Sequence, residues 1–198
     1  MEFKDGTNVY TFDGKDVGKL QRVVIDPETK DVTHIVVQKG LFFKEDKVIG
    51  VDKVDSASME EITLNCVAAE LKEMAPLNIK EYVSMGETSG RDPEHDIYWN
   101  AGPDHSLIAV TKRTIPADLV ALKEGARVVS EEGSHMGNVE RVLTDPETGK
   151  VNSFTIAQGL LNKTRKSVPI QWVKYLDDDM VQLAVEAREV EDLPAGEG

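Results

Sequence analysis

Asp92, Glu94, His95, Asp96, Asp104 and His105 place six oxygen and imidazole donors in one short stretch. Carboxylates mixed with imidazoles are the donor set of zinc and related divalent ions. These six lie among Gly and Pro residues, without the i, i+4 spacing that lets a helix aim two ligands at one ion. A solvated acidic loop is therefore the expectation, and a ligand- or metal-responsive segment using these carboxylates and histidines is the alternative. Asp177, Asp178 and Asp179 offer hard oxygen atoms suited to calcium, but they lack the twelve-residue calcium-loop pattern and read as a charged turn between strands. The chain has no Gly-rich phosphate loop, no Gly-x-Ser-x-Gly elbow and no cysteine pair. Cys66 stands alone at the end of an apolar strand, which makes it a small buried hydrophobe. The expectation is a protein that is not an enzyme and has no catalytic residue, cofactor or bound metal; a hydrolase would need a deep polar pocket.

Side chains that could hold a partner are easier to find. Gly40 is followed by Leu41, Phe42 and Phe43, and Gly159 by Leu160 and Leu161, so two loops carry large apolar groups that either plug a barrel end or recognise a partner. Ile97, Tyr98 and Trp99 add apolar area in the middle of the chain that either anchors the linker to a barrel or forms an exposed partner-binding patch. Trp172 stands where the first half has Lys53, a difference that a shared core position would not tolerate, so it marks an interface between modules or with another subunit. These eight residues, Leu41, Phe42, Phe43, Leu160, Leu161, Trp172, Tyr98 and Trp99, are the candidate partner-binding positions.

Charge narrows the partners. A net charge of −13 over 198 residues repels phosphate backbones and anionic membrane surfaces. The densest basic run, Lys163 to Lys166, is too short to overturn that, so nucleic acid is not expected. No apolar run approaches the roughly 18 residues of a membrane span, and the first residues do not form a signal peptide. The expected location is the cytoplasm, and the expected partner is another protein, with a homodimer also open.

The elements that must position these residues are legible because the chain repeats itself. Gly18 to Val32 returns as Gly137 to Val151, displaced by 119 positions, and the offset holds without a gap from Phe3/Leu122 to Met74/Leu193. A position apolar in both copies belongs to a shared core. In the strand from Val32, Ile35 and Val37 match Phe154 and Ile156 and face inward, whereas His34, Val36 and Gln38 match Ser153, Thr155 and Ala157 and face outward or toward a neighbour. A histidine that its sister copy replaces with serine is a surface residue rather than a ligand or base. Asp26-Pro27-Glu28-Thr29 and Asp145-Pro146-Glu147-Thr148 predict hairpin turns whose Asp side chains accept backbone N–H groups. Gly149 suits a left-handed residue closing the second turn, and Lys30, at the same place in the first, should cost about 1 kcal/mol. Gly18 and Gly137 predict bulges or close backbone crossings, and Pro169 a strand start or an edge. Strands are expected at Thr7 to Phe12, Val17 to Asp26, Val32 to Lys39, Val48 to Val54 and Ile62 to Val67, with counterparts 119 residues on.

The motif of Gly18, Arg22-Val23-Val24, Asp26-Pro27-Glu28-Thr29, Val32, Ile35-Val36-Val37 and Gly40, with its echo ending at Gly159, resembles the PRC-barrel family. That resemblance covers most of residues 3–74 and 122–193. It implies a fold like the cytoplasmic barrel of the photosynthetic reaction-centre H subunit and the C-terminal domain of a ribosome maturation factor. It further implies a binding or assembly module. The expected architecture is all-β: two tandem small PRC-type barrels at 1–75 and 121–193, each followed by a short helix or turn. Between them lies an irregular linker at 76–120 with room for one added strand, and residues 194–198 form a disordered tail. The expected function is a non-catalytic protein-protein interaction or assembly adaptor.

Overall fold

The computed structural model describes residues 1–39, 45–84, 107–159 and 164–196. The first copy runs β1 (Glu2–Lys4), β2 (Asn8–Tyr10), β3 (Asp16–Ile25), β4 (Val32–Lys39), β5 (Glu45–Gly50), a 3₁₀ turn at Val51–Lys53, β6 (Val54–Ala57), β7 (Glu61–Leu64) and the short helix α1 (Ala68–Glu73). Two further strands follow, β8 (Asn78–Ser84) and β9 (Leu107–Arg113). The second copy repeats the first as β10 (Val120–Lys123), β11 (Arg127–Val129), β12 (His135–Thr144), β13 (Val151–Gln158), β14 (Thr164–Pro169), a 3₁₀ turn at Ile170–Trp172, β15 (Val173–Leu176), β16 (Met180–Leu183) and α2 (Ala187–Glu191). The chain is all-β with only short helices. The strand expected from Val48 to Val54 is broken, since the 3₁₀ turn bends the backbone before Val54 and starts a new strand.

Two seven-stranded sheets result, ordered β5-β4-β3-β2-β7-β6 and β14-β13-β12-β11-β16-β15. The seventh strand of each comes from the other copy. β1 lies antiparallel on β12, with Phe3 opposite Val142, and β10 lies antiparallel on β3, with Leu122 opposite Val23. β1 and β10 are the same element in the repeat, so the two modules have exchanged their first strands within one chain. Phe3 and Leu122 are both buried and belong to one continuous apolar cluster that also holds Leu20, Ile35, Ile62, Phe154, Ile156 and Leu183. The core is thus shared across the exchange rather than split between two barrels. Sharing eases the difficulty that a unit of about 70 residues has in burying enough apolar surface alone.

The local signals act as their chemistry requires. Asp26 Oδ1 accepts the N–H groups of Glu28 and Thr29 at 2.8 and 3.1 Å, and Asp145 Oδ1 those of Glu147 and Thr148 at 2.9 and 2.8 Å. Lys30 has φ of 66° and Gly149 of 72°, so both turns close through a left-handed residue, one with a side chain and one without. Gly18 and Gly137, at φ of 133° and 124°, sit at register shifts between the second and third strands of each copy. A Cβ on Gly137 would lie 2.6 Å from the Ala157 carbonyl oxygen, so the position is both a bulge and a close crossing. Pro169 ends β14, an edge strand, where its missing N–H costs no ladder bond.

The stretch between the copies contributes at its ends. Leu77, Ile115 and Leu119 pack with Ala121 on Val24 and Val36, covering a face of the first sheet that strand alternation had turned outward. By itself, the segment Asn78–Thr114 forms a compact unit in which β8 and β9 pair antiparallel, Asn78 opposite Arg113 and Ser84 opposite Leu107. It holds two strands where one was expected. At the far end, the Gly196 N–H donates to the Arg165 carbonyl at 2.7 Å, as the Leu77 N–H does to Asp46 at 2.8 Å. Instead of fraying at 194, the tail is held on the edge of β14 as far as Gly196, because the repeat carries that bond into both copies.

Candidate interaction site

The strand exchange fixes where the two copies meet. Each first strand leaves its sheet through a dipeptide that ends in a left-handed glycine, Asp5-Gly6 and Glu124-Gly125, at φ of 72° and 78°. The glycine N–H groups donate to Leu20 and Val139 at 2.9 and 2.8 Å, so both crossovers are held identically. Repeat equivalence therefore brings Asp5 and Glu124 together, close enough for each carboxyl to shift the other. Burial, together with the Asp5 charge, pushes the Glu124 carboxyl up to about 7, while Glu140 adds repulsion and Lys4 opposes it. Burial also raises Asp5, against the Gly6 N–H, Arg22 and Lys19. Two carboxyls this close resist ionising together, so the pair keeps a proton until the pH rises through about 7.

Basic side chains hold the exchanged strands from both sides. Arg141 Nη1 donates to Glu2 Oε1 at 3.0 Å, and Arg22 Nη1 donates to the Ala121 carbonyl at 3.2 Å and lies 3.7 Å from Asp178. Asp178 Oδ1 accepts the Ala121 N–H at 2.9 Å, and Asp179 pairs with Lys123 at 2.5 Å. The aspartate run read as a charged turn does join β15 to β16, and it also clamps β10 onto its foreign sheet. Arg165 grips Glu140 through two bonds of 2.7 and 2.9 Å, which holds that carboxyl below the usual range. The cavity at the crossover is about 20 Å³, room for a water molecule rather than a substrate.

Of the sequence-derived positions, Leu41, Phe42, Phe43, Leu160, Leu161, Ile97, Tyr98 and Trp99 lie outside the described residues, as do Asp92, Glu94, His95, Asp96, Asp104 and His105. Trp172 closes its 3₁₀ turn half-buried, packed against the main core. His34 is half-buried, its Nδ1 3.1 Å from Thr33 Oγ1, and burial lowers its proton affinity. Cys66 is buried, which pushes its thiol up. Among the described residues, no three His, Cys, Asp or Glu side chains are grouped to hold a metal ion, and no helix is long and apolar enough to cross a membrane.

An exposed corner went unmarked in the sequence reading. Phe12 is 80 % exposed and Val67 41 %, and the Phe12 N–H donates to the carbonyl of Cys66 at 3.1 Å, so the two apolar side chains flank one bend. The same corner of the second copy is charged: Glu131 replaces Phe12 and pairs with Lys174 at 3.3 Å, and Glu186 replaces Val67. The signal was available in the repeat, since phenylalanine against glutamate at equivalent positions cannot be a shared core site.

Residues 5–62 match the family model of the PRC-barrel domain, a stretch that runs from the first crossover to β7. No curated protein matches the chain.

Proposed function

From a chain whose residues 5–62 match the PRC-barrel domain, we propose that the protein is a non-catalytic adaptor that binds another protein in the cytoplasm. PRC-barrel domains serve as protein-interaction modules, and the pseudo-symmetric pair described above supplies a platform for one. The observation that carries the reading is Phe12, an aromatic side chain left 80 % in water at a corner where the sister copy has a salt-bridged glutamate. Aromatic anchors dominate interface energetics, and a ring as exposed as that of Phe12 offers a partner such an anchor. Leu41, Phe42, Phe43, Leu160, Leu161, Tyr98, Trp99 and Trp172 remain part of the same proposal as further contact positions.

The test is affinity capture from native extract with three baits: the intact chain, Phe12→Glu and the Phe42→Ala/Phe43→Ala pair. A protein recovered by the intact chain and lost with Phe12→Glu supports the reading. Identical recovery by all three baits removes both apolar sites from it.

A further inference from the structure

A cavity in the first barrel is lined by residues that differ in size and charge from their sister positions. Val17, Val37, Ile49, Ala68 and Leu71 line a cavity of about 390 Å³ between β3, β4, β5 and α1. Among the described residues, its rim carries Lys15, Lys47 and Lys72 with Asp16. At the same place in the second barrel, Met136 stands for Val17 and is buried where Val17 is only half-buried. Val190 stands for Leu71 and is sealed at 0 % against 8 %. Charge changes in step with volume: Ser134 replaces Lys15 and Glu191 replaces Lys72. Lys166, the counterpart of Lys47, is buried and capped by the carbonyls of Val190 and Glu191.

We propose that the first barrel binds a small amphiphilic carboxylate, an aliphatic chain ended by one carboxylate group, in this cavity. The volume lies within the roughly 300 to 1,000 Å³ of small-molecule sites, and its apolar floor under a few polar groups is the usual composition of such a site. The floor takes the tail. Lys72 and Lys15 face the head, and Lys47, whose Nζ donates to Met74 O at 3.1 Å, adds positive potential. Lys15 is shared with Asp13 at 2.7 Å, so Lys72 is the principal partner. On a chain with net charge −13 this rim is a local reversal of sign, which selects an anion over a neutral lipid. The inference is independent of the adaptor reading, because Phe12 does not line the cavity.

Calorimetric titration of the full chain with decanoate below its micelle concentration, and separately with decanol and acetate, tests it. Decanoate should saturate at one per chain, with decanol and acetate about tenfold weaker or more, since each lacks one half of the complementarity. Val17→Met installs the residue that the second barrel already accommodates and should lower decanoate affinity about tenfold or more. Lys72→Glu, on the exposed rim, should lower decanoate affinity by a similar factor and leave decanol unchanged; it carries the test should Val17→Met lower the melting temperature. No binding of decanoate, or decanol bound as tightly as decanoate, overturns the proposal. Binding seen only after Phe42→Ala/Phe43→Ala would assign the cavity to the chain's own segment and overturn it too.

Discussion

Asp5 and Glu124 meet at the point where the two exchanged strands pass, and the two residues occupy the same position of the repeat. A fold that duplicates itself about an axis must bring every near-axis residue against its own copy, so a carboxyl at that position meets a carboxyl. One of the two then stays protonated until the pH rises through about 7.

The consequence is a pH dependence of unusual sign. A glutamate raised from 4.5 to about 7 binds more protons folded than unfolded across that window, so stability falls as pH rises through it. Glu124→Gln keeps a neutral side chain beside Asp5 and removes the penalty. The variant should match wild type near pH 5 and exceed it at pH 8 by on the order of 1 kcal/mol, once the half-exposed site is discounted for solvent screening. Thermal melts at both pH values check this; a gain at pH 5 equal to that at pH 8 would show that the proton plays no part.

Lys30 carries a left-handed backbone at φ 66° that its sister position gives to Gly149. Lys30→Gly should raise stability by about 1 kcal/mol, the order of the steric cost of a side chain in that region. In a domain of this size the melting temperature would rise about 2–4 °C. Gly149→Lys should move it down by a similar amount. A fall on Lys30→Gly would mean that the bond from the Lys30 ammonium to the Pro27 carbonyl outweighs the strain.

What could be read in advance follows from where the repeat carries information. The turns at Asp26 and Asp145, the left-handed Lys30 and the inward set Ile35, Val37, Phe154 and Ile156 are local, and each copy testified to the other. The exchange of β1 and β10 was hidden by that same similarity. Phe3 faces Val142 in the structure and would face Val23 without exchange, and valine against valine gives no chemical reason to choose. Burial of Val24 and Val36 was hidden for a different reason: their cover is Leu77 and Ile115, from a stretch that the repeat does not include. Phe12 is marked in the sequence only by its mismatch with Glu131, a signal of the same kind as His34 against Ser153 and Trp172 against Lys53.

Asp178 and Asp179 are neighbours with unequal duties. Asp178 accepts the N–H of Ala121, which is fully buried, and lies beside Arg22; Asp179 pairs with Lys123 in the open. Asp178→Ala should cost about 1–3 kcal/mol, because a buried donor loses its acceptor. Asp179→Ala should cost under about 1 kcal/mol, the usual worth of an exposed pair. Urea denaturation of both variants ranks them. Equal losses, or a melting temperature of the wild type that drops on adding a calcium chelator, would contradict the assignment of the run as a strand clamp.

Phe3 tests the exchange itself. Its side chain belongs to the first copy in sequence and to the second sheet in space, 2 % exposed opposite Val142. Phe3→Ala should cost about 3–5 kcal/mol, the range for emptying a phenylalanine site in a packed core. If the strands are exchanged, the loss falls on the sheet that holds Trp172, although the substitution lies at the opposite end of the chain. Because the apolar cluster runs through both sheets, unfolding should remain one transition, with Trp172 fluorescence, read in a Trp99→Phe background because the chain has two tryptophans, and far-ultraviolet circular dichroism coinciding with and without Phe3→Ala. Were β1 paired with β3 of its own copy, Phe3→Ala would loosen the first sheet ahead of the second, and the fluorescence and dichroism curves would separate.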